Sequence, residues 1–224
     1  MDEIRVLIWN EFIHERRDAE VKAIYPEGIH RALAKNLSGE GFEITCASLD
    51  EPECGLPPGE LESCDVLVWW SHIANDKIPD ALAERIVARV KKGMGFIALH
   101  SARNSKPFIL LNGTSCKARW REDGKKEIIW VVDPQHPIAA GLAESFELPH
   151  EEMYGEPMRV APDSYPVFMS WFEGGEILRS GCCLERGKGR IFYFQPGHES
   201  FPAYYDANVL KVIANAIRWC GRAG

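Results

Sequence analysis

Apolar runs of four to six residues alternate with longer amphipathic stretches through the first hundred positions. That alternation predicts strands and helices in turn. Ile4–Trp9 reads as a first strand. Asn10–Pro26 follows as a loop, with a helix-like piece near Glu15–Ala23. Glu27–Ser38 places Ile29, Leu33 and Leu37 at i, i+4 and i+8, the stripe of a helix, and Gly39 and Gly41 stop it. Phe42–Ala47 is a second strand. A Pro-rich loop and a short turn at Gly59–Ser63 lead to a third, Asp65–Trp70, apolar almost throughout, as a strand covered on both faces must be. Ala81–Lys91 carries Leu82, Ile86 and Val90 on one stripe and predicts a helix. Phe96–Leu99 is a fourth strand.

Beyond residue 105 the pattern changes. Lys106–Pro149 is mixed, with Glu127–Val132 strand-like and Asp133–Pro137 a turn. Pro166–Trp171, Gly181–Leu184 and Arg190–Gln195 predict strands, with Gly187-Lys188-Gly189 as a hairpin turn. Ala207–Trp219 is a last helix. The expected fold is α/β: a mostly parallel central sheet with helices on both faces and antiparallel strands added in the second half. With no internal repeat or linker, 1–224 is expected to form one domain, and 224 residues suffice for a substantial core.

Composition and charge exclude several classes. A net charge of −7 and the lack of any Lys/Arg run argue against a nucleic-acid partner. The apolar runs are strand-length, so no membrane span is expected. Met1-Asp2-Glu3 leads straight into the first strand, without a basic and then an apolar leader, so a cytoplasmic location is expected. Seven cysteines, an odd number with no C-x-x-C, suggest reduced thiols rather than a disulfide frame or a zinc ribbon. No G-x-G-x-x-G follows the first strand and no P-loop occurs, so no nucleotide cofactor is expected.

The candidate chemistry sits at strand ends. In a parallel sheet, ligands bind beyond the carboxyl ends of the strands. Asn10, Glu11 and His14 follow the first strand, His72 the third, His100 the fourth and His198 the last. Taken singly, each is explained by local hydrogen bonds. As a group they are expected to converge on one edge. Pro149–Glu156 contains Glu152 and Tyr154, a carboxylate and a phenol suited to acid/base work or metal ligation; a charged surface loop explains the same composition. Trp70 and Tyr154 are among several aromatic residues near strand ends that suit a carbohydrate, although core packing explains any one of them.

Four stretches resemble the ThuA-like (trehalose-utilisation) proteins of the class I glutamine-amidotransferase-like superfamily. They are Gly93–Ala102, Asp133–Ile138, Glu151–Tyr154, and Gly187–Tyr193 leading to Gly197-His198. The resemblance implies a flavodoxin-like three-layer sandwich with its site at the fourth-strand corner. Glutamine amidotransferases of that superfamily carry a cysteine there and a histidine–glutamate element after a late strand. Here His100 stands at the corner, and His198-Glu199 resembles the second element without its intervening residue. Without a thiolate no γ-glutamyl thioester forms, so glutaminase activity is not expected. The family's link to trehalose implies a disaccharide or keto-sugar, isomerised or cleaved by elimination through acid/base chemistry.

On this reading His100, Glu152 and His198 are the catalytic candidates. Asn10, Glu11, His14, His30, Trp70 and Tyr154 are candidate substrate contacts. His72, His100 and His198 are candidate ligands for a divalent metal such as zinc. A non-catalytic sugar-binding or regulatory module, and a metal-dependent hydrolase, are the alternatives. A homo-oligomer is compatible with the fold.

Overall fold

The computed structural model describes residues 3–221. Strand β1 (Ile4–Asn10) runs into the short helices α1 (His14–Arg17) and α2 (Ala19–Ile24), then α3 (Ile29–Asn36) and β2 (Phe42–Ser48). Helix α4 (Pro58–Ser63), strand β3 (Val66–Trp70), helix α5 (Asp80–Lys92), strand β4 (Gly95–Leu99) and helix α6 (Lys106–Asn112) complete the first half. Strands β5 (Arg119–Val131), β6 (Ser145–Gly155), β7 (Tyr165–Phe172), β8 (Ile177–Arg186) and β9 (Gly189–Phe194) follow, and α7 (Ala207–Cys220) closes the fold.

All nine strands form one sheet in the order β2-β1-β3-β4-β9-β8-β7-β5-β6. The pairs from β2 to β9 are parallel, and those from β9 to β6 are antiparallel. The parallel half with an antiparallel extension is the architecture the hydrophobic pattern predicts. Alternate side chains of the parallel strands feed two cores. Val6, Ile8, Val68, Trp70 and Leu99 pack with α3 and α7. Leu7, Trp9, Leu67, Trp69, Phe96 and Ala98 pack with α4, α5 and α6. Trp9 and Trp69 stack with ring centroids 3.9 Å apart in that second layer.

Several elements differ from expectation, each for a local reason. The piece near Glu15–Ala23 is two helices, because Asp18 is extended and its Oδ1 accepts the Glu20 and Val21 N–H groups as an N-cap. Gly59–Ser63 belongs to a helix started by Pro58, not to a turn. Lys106–Asn112 is a helix too short for its stripe to stand out; Ser105 caps it, Pro107 suits its first turn, and Phe108 and Leu111 are buried. Most consequential, Ser145–Gly155 is a strand, so Pro149–Gly155 is not a surface loop. Glu152 and Tyr154, two apart on β6, therefore share a face.

Chain reversal between β1 and β3 creates a switch point of the kind where open α/β sheets bind ligands. The hairpin joining β8 to β9 passes close under α5: a Cβ at Gly189 would lie 2.1 Å from the Val90 carbonyl oxygen. Gly59 on α4 has nothing within 4 Å. Gly189→Ala is expected to cost roughly 1–3 kcal/mol, lowering Tm by about 2–12 °C in a domain of this size. Gly59→Ala should leave Tm unchanged or slightly raised. Thermal denaturation of both variants checks this, and equal melting temperatures would refute the close approach.

Candidate active site

The site is assembled from the ends of β1, β3, β4 and β9 and from the middle of β6. His100 directly follows β4 and sits at φ +52°, a left-handed conformation that costs a non-glycine residue energy and persists only when its surroundings enforce it. The enforcement is visible. The side chain is fully buried, and Nδ1–H donates to the Gln195 carbonyl beyond β9 (2.9 Å). On the other side of the ring, Nε2 lies 2.9 Å from Glu152 Oε2 and 3.2 Å from the Tyr154 hydroxyl. Tyr154 also bonds Ser101 Oγ, and the Arg103 guanidinium stacks 4.4 Å from its ring centroid.

His72 lies two residues past β3, on a segment strapped down from several directions. Glu11, fully buried, accepts the Ile73 and Ala74 N–H groups at 2.9 and 3.0 Å. Asn75 Nδ2 donates to the His72 carbonyl, and Trp69 Nε1 donates to Ser71 Oγ. The His198 segment is held likewise. Glu151 accepts the Gly197 and His198 N–H groups at 2.8 and 3.1 Å, and Trp70 Nε1 donates to the Gly197 carbonyl at 3.0 Å. Gly197, at φ +127°, leaves no room for a Cβ beside the Tyr204 hydroxyl.

The imidazoles then meet. Ring centroids of His72, His100 and His198 are 5.1–5.7 Å apart, and His14 lies 5.3 Å from His72. His72 Nδ1–H donates to the Glu199 carboxylate at 2.8–2.9 Å, and His14 Nδ1 is 2.8 Å from the same group. His198 Nδ1 accepts the Ser200 N–H, while its Nε2 faces Glu199, Glu122 and Glu152 at 3.7, 3.8 and 4.0 Å. His14 and His72 are 21% and 23% exposed against 6% or less for His100, His198, Glu152 and Glu199, so the cluster opens to solvent on the His14–His72 side.

The electrostatics are unusual. Glu11, Glu15, Glu127, Glu151, Glu152 and Glu199 are all buried, and among the described residues none lies within 4.0 Å of a Lys or Arg nitrogen. In the cluster itself, imidazoles do the compensating. Burial opposes the charge on Glu199, but hydrogen bonds from His14 and His72 outweigh it and hold the carboxyl well below its usual range. Burial likewise opposes charge on both His100 and Glu152; their mutual contact prevails, raising the imidazole and lowering the carboxyl. Burial and the neighbouring His100 push His198 down to about 4. Glu152 Oε2 nevertheless has no well-directed hydrogen bond. One donor atom each from His72, His100, Glu152 and His198 lie within 4.8 Å of one another, as do donors from His14, His72 and Glu199.

The structure brings His14, His72, His100, His198, Glu152 and Tyr154 together. Asn10, Glu11, His30 and Trp70 lie behind them, with their polar atoms engaged internally. Asn10 Nδ2 reaches Glu15 at 2.7 Å and His30 Nδ1 at 3.1 Å. Sequence reasoning assigned no role to Glu151 or Gln195, and it named Glu199 only as the neighbour of His198. The adjacency of Glu199 to a strand-end histidine was the one available signal.

A thiol-free site on an amidotransferase-like sheet defines the class of domain. The sequence matches the model of the ThuA family, described as trehalose utilisation, over residues 5–220, and the chain belongs to that family. A ThuA-like protein from Parabacteroides merdae superposes with a TM-score of 0.70 at 15% identity, covering 99% of this chain and 91% of that one. One from Bacteroides uniformis gives 0.69 at 17% identity, covering 96% and 90%. The glutaminase domain of CTPS from Trypanosoma brucei, solved with bound acivicin, gives 0.51 at 8% identity, covering 96% and 94%. At these identities the likeness is one of fold. A search of curated proteins finds no match. Among the described residues no helix is long and apolar enough to cross a membrane.

Two expectations follow. Glu11→Ala leaves the buried Ala74 N–H and the part-buried Ile73 N–H without their acceptor and should cost roughly 1–3 kcal/mol; an unchanged urea midpoint would show that Glu11 is not the strap. His30 is buried near Arg31, Arg16 and Asp50, and burial pushes it down to about 4. Its contribution is complete above the unfolded value near 6.5 and is lost as pH falls through about 4, because the unfolded chain then binds the extra proton. The loss between pH 7 and 4 is on the order of 3 kcal/mol. Urea titrations at both pH values should show a smaller loss in His30→Gln.

Proposed function

We propose that the protein is a cytoplasmic enzyme of sugar metabolism that moves a proton at a carbon next to a keto group, isomerising or eliminating a keto-sugar or disaccharide derivative. The carrying observation is the convergence of four imidazoles with Glu152 and Glu199 at one solvent-accessible sheet edge, where the superfamily's amidotransferases use a thiol. A keto group acidifies the adjacent C–H, and removal of that proton needs a base together with a group that stabilises the resulting oxyanion.

The His100–Glu152 pair supplies the first. A proton between Nε2 and Oε2 can be taken from, or returned to, a substrate carbon presented from the His14–His72 side. His198 supplies the second. Its Nδ1 is occupied by the Ser200 N–H, so in its neutral form the ring carries the proton on Nε2 and donates toward the cluster. Tyr154 is 2% exposed, and its hydroxyl orients His100 rather than binding sugar directly.

The same space suits a divalent cation such as zinc. His72 and His100 each give their Nδ1–H to an oxygen acceptor, the arrangement that leaves Nε2 lone pairs free for a metal. Glu152 Oε2 is a buried oxygen lacking a well-directed hydrogen bond. These three would hold the ion in the three-donor pattern of catalytic sites, in preference to His198, whose tautomer turns an N–H inward. Bound there, it would supply Lewis-acid polarisation of the substrate carbonyl.

Incubating a 3-keto-glycoside with the protein in heavy water, with chelator or with zinc, tests the reading by NMR. Deuterium should enter next to the carbonyl, and His100→Ala should slow this by roughly 10²–10⁴-fold while Tm changes by only a few degrees. Exchange that survives His100→Ala sinks the proposal. Calorimetric binding without exchange would favour a sugar-sensing module. Dependence on zinc would assign the cation, and full activity in chelator would assign the proton.

A further inference from the structure

Among the described residues the helices pack mainly on the parallel strands, while one face of β5 and β7 in the antiparallel half stays partly exposed. Antiparallel strands with one face in water normally turn polar residues outward. Here the outward positions are Ile128 and Trp130 on β5, Val132 just beyond it, Met169 and Trp171 on β7, and Ile177 at the start of β8. They line a groove of about 640 Å³ whose one charged lining residue is Glu144. Trp130, Val132 and Ile177 are 44%, 48% and 52% exposed. Their neighbours Glu127, Ile129, Ser170 and Phe172 alternate with them and are buried, so the strand register fixes this face. Contiguous apolar surface of this kind, rimmed by polar groups, marks an interaction site.

We infer that this face joins two copies of the chain about a two-fold axis. The rim carries both signs of charge side by side. Lys126 Nζ and Glu147 Oε2 pair at 2.9 Å across β5 and β6, and Glu147 stands opposite Ile128 in the register. An isologous interface needs a patch that complements itself, and a rim carrying both signs can exchange its own ion pair for the same pair made across to the second copy. A nucleic acid or an acidic peptide would call for one sign instead, and a small polar ligand for hydrogen-bonding groups the groove barely offers. The protruding Trp130 of each copy can fill the groove of the other.

The apolar core spans three strands about 4.8 Å apart. With its rim it reaches the low end of specific interfaces, below roughly 600 Å² per partner. The dimer is therefore weak, dissociating in the micromolar range. The proposal is independent of the sugar-enzyme reading. Trp130 pairs with Ser145, seven residues along β6 from Glu152, or about 24 Å of strand.

Sedimentation velocity on the full chain from roughly 1 to 200 µM tests it. A monomer–dimer equilibrium is expected, with Trp130→Glu and Trp171→Glu each raising the dissociation constant at least tenfold. Trp120→Glu, at a residue 65% exposed but outside the groove, should leave it unchanged. Circular dichroism and Tm confirm that each variant is folded. A monomer at every concentration overturns the inference, as does a dimer indifferent to Trp130→Glu or equally sensitive to Trp120→Glu.

Discussion

Buried carboxylates without a lysine or arginine partner are the constraint around which the rest of this protein is organised. A buried charge is tolerated only when it is compensated. Asp65, Asp50, Glu176 and Asp163 on the surface each have an arginine. Glu152 and Glu199 in the interior have imidazoles, and Glu11 and Glu151 have backbone N–H groups. The loops after β3 and β9 can take only the paths that bring His72 and the Gly197–His198 segment to those acids. The architecture of the site and the neutralisation of its charge are thus one problem with one solution.

This explains why a histidine can occupy the strained corner after β4. Its φ of +52° would be a liability in a loop free to relax. Bonds from Nδ1 to Gln195 and from Nε2 to Tyr154, the contact with Glu152 and complete burial over-determine it. In the amidotransferase-like sheet the same corner suits a nucleophile. This chain places an imidazole there, with three others beside it. The fold is shared with a glutaminase domain at 8% identity, and a shared fold does not carry a shared chemistry, which rests on the side chains the strands present.

Much of the plan was legible from residues 4–105. Short apolar runs and the 3.6-residue stripe located β1, β3, α5 and β4 to within one or two residues, and turn residues after each strand marked where polar side chains would gather. Less was legible from residues 106–155. Strand β5 carries Arg119 to Glu127 with few apolar residues, since its first half is largely in water and lacks the alternation a pattern detects. Strand β6 reads as charged because Glu151 and Glu152 are buried there, contrary to the rule that glutamates face out.

What the sequence by itself determined is the parallel first half with its antiparallel extension, the family, and the lack of a thiol at the β4 corner, because hydrophobic period and residue identity are local properties. Only the tertiary structure decided that Glu199 clasps His14 and His72, that Glu151 pins the loop before His198, and that Asn10, Glu11, His30 and Trp70 brace the site from behind. Those roles depend on which atoms meet across long stretches of chain, 127 residues between His72 and Glu199 and more still between His14 and Glu199. That distance is closed by the sheet's crossovers and by the need to compensate buried charge, neither of which leaves a spacing to read.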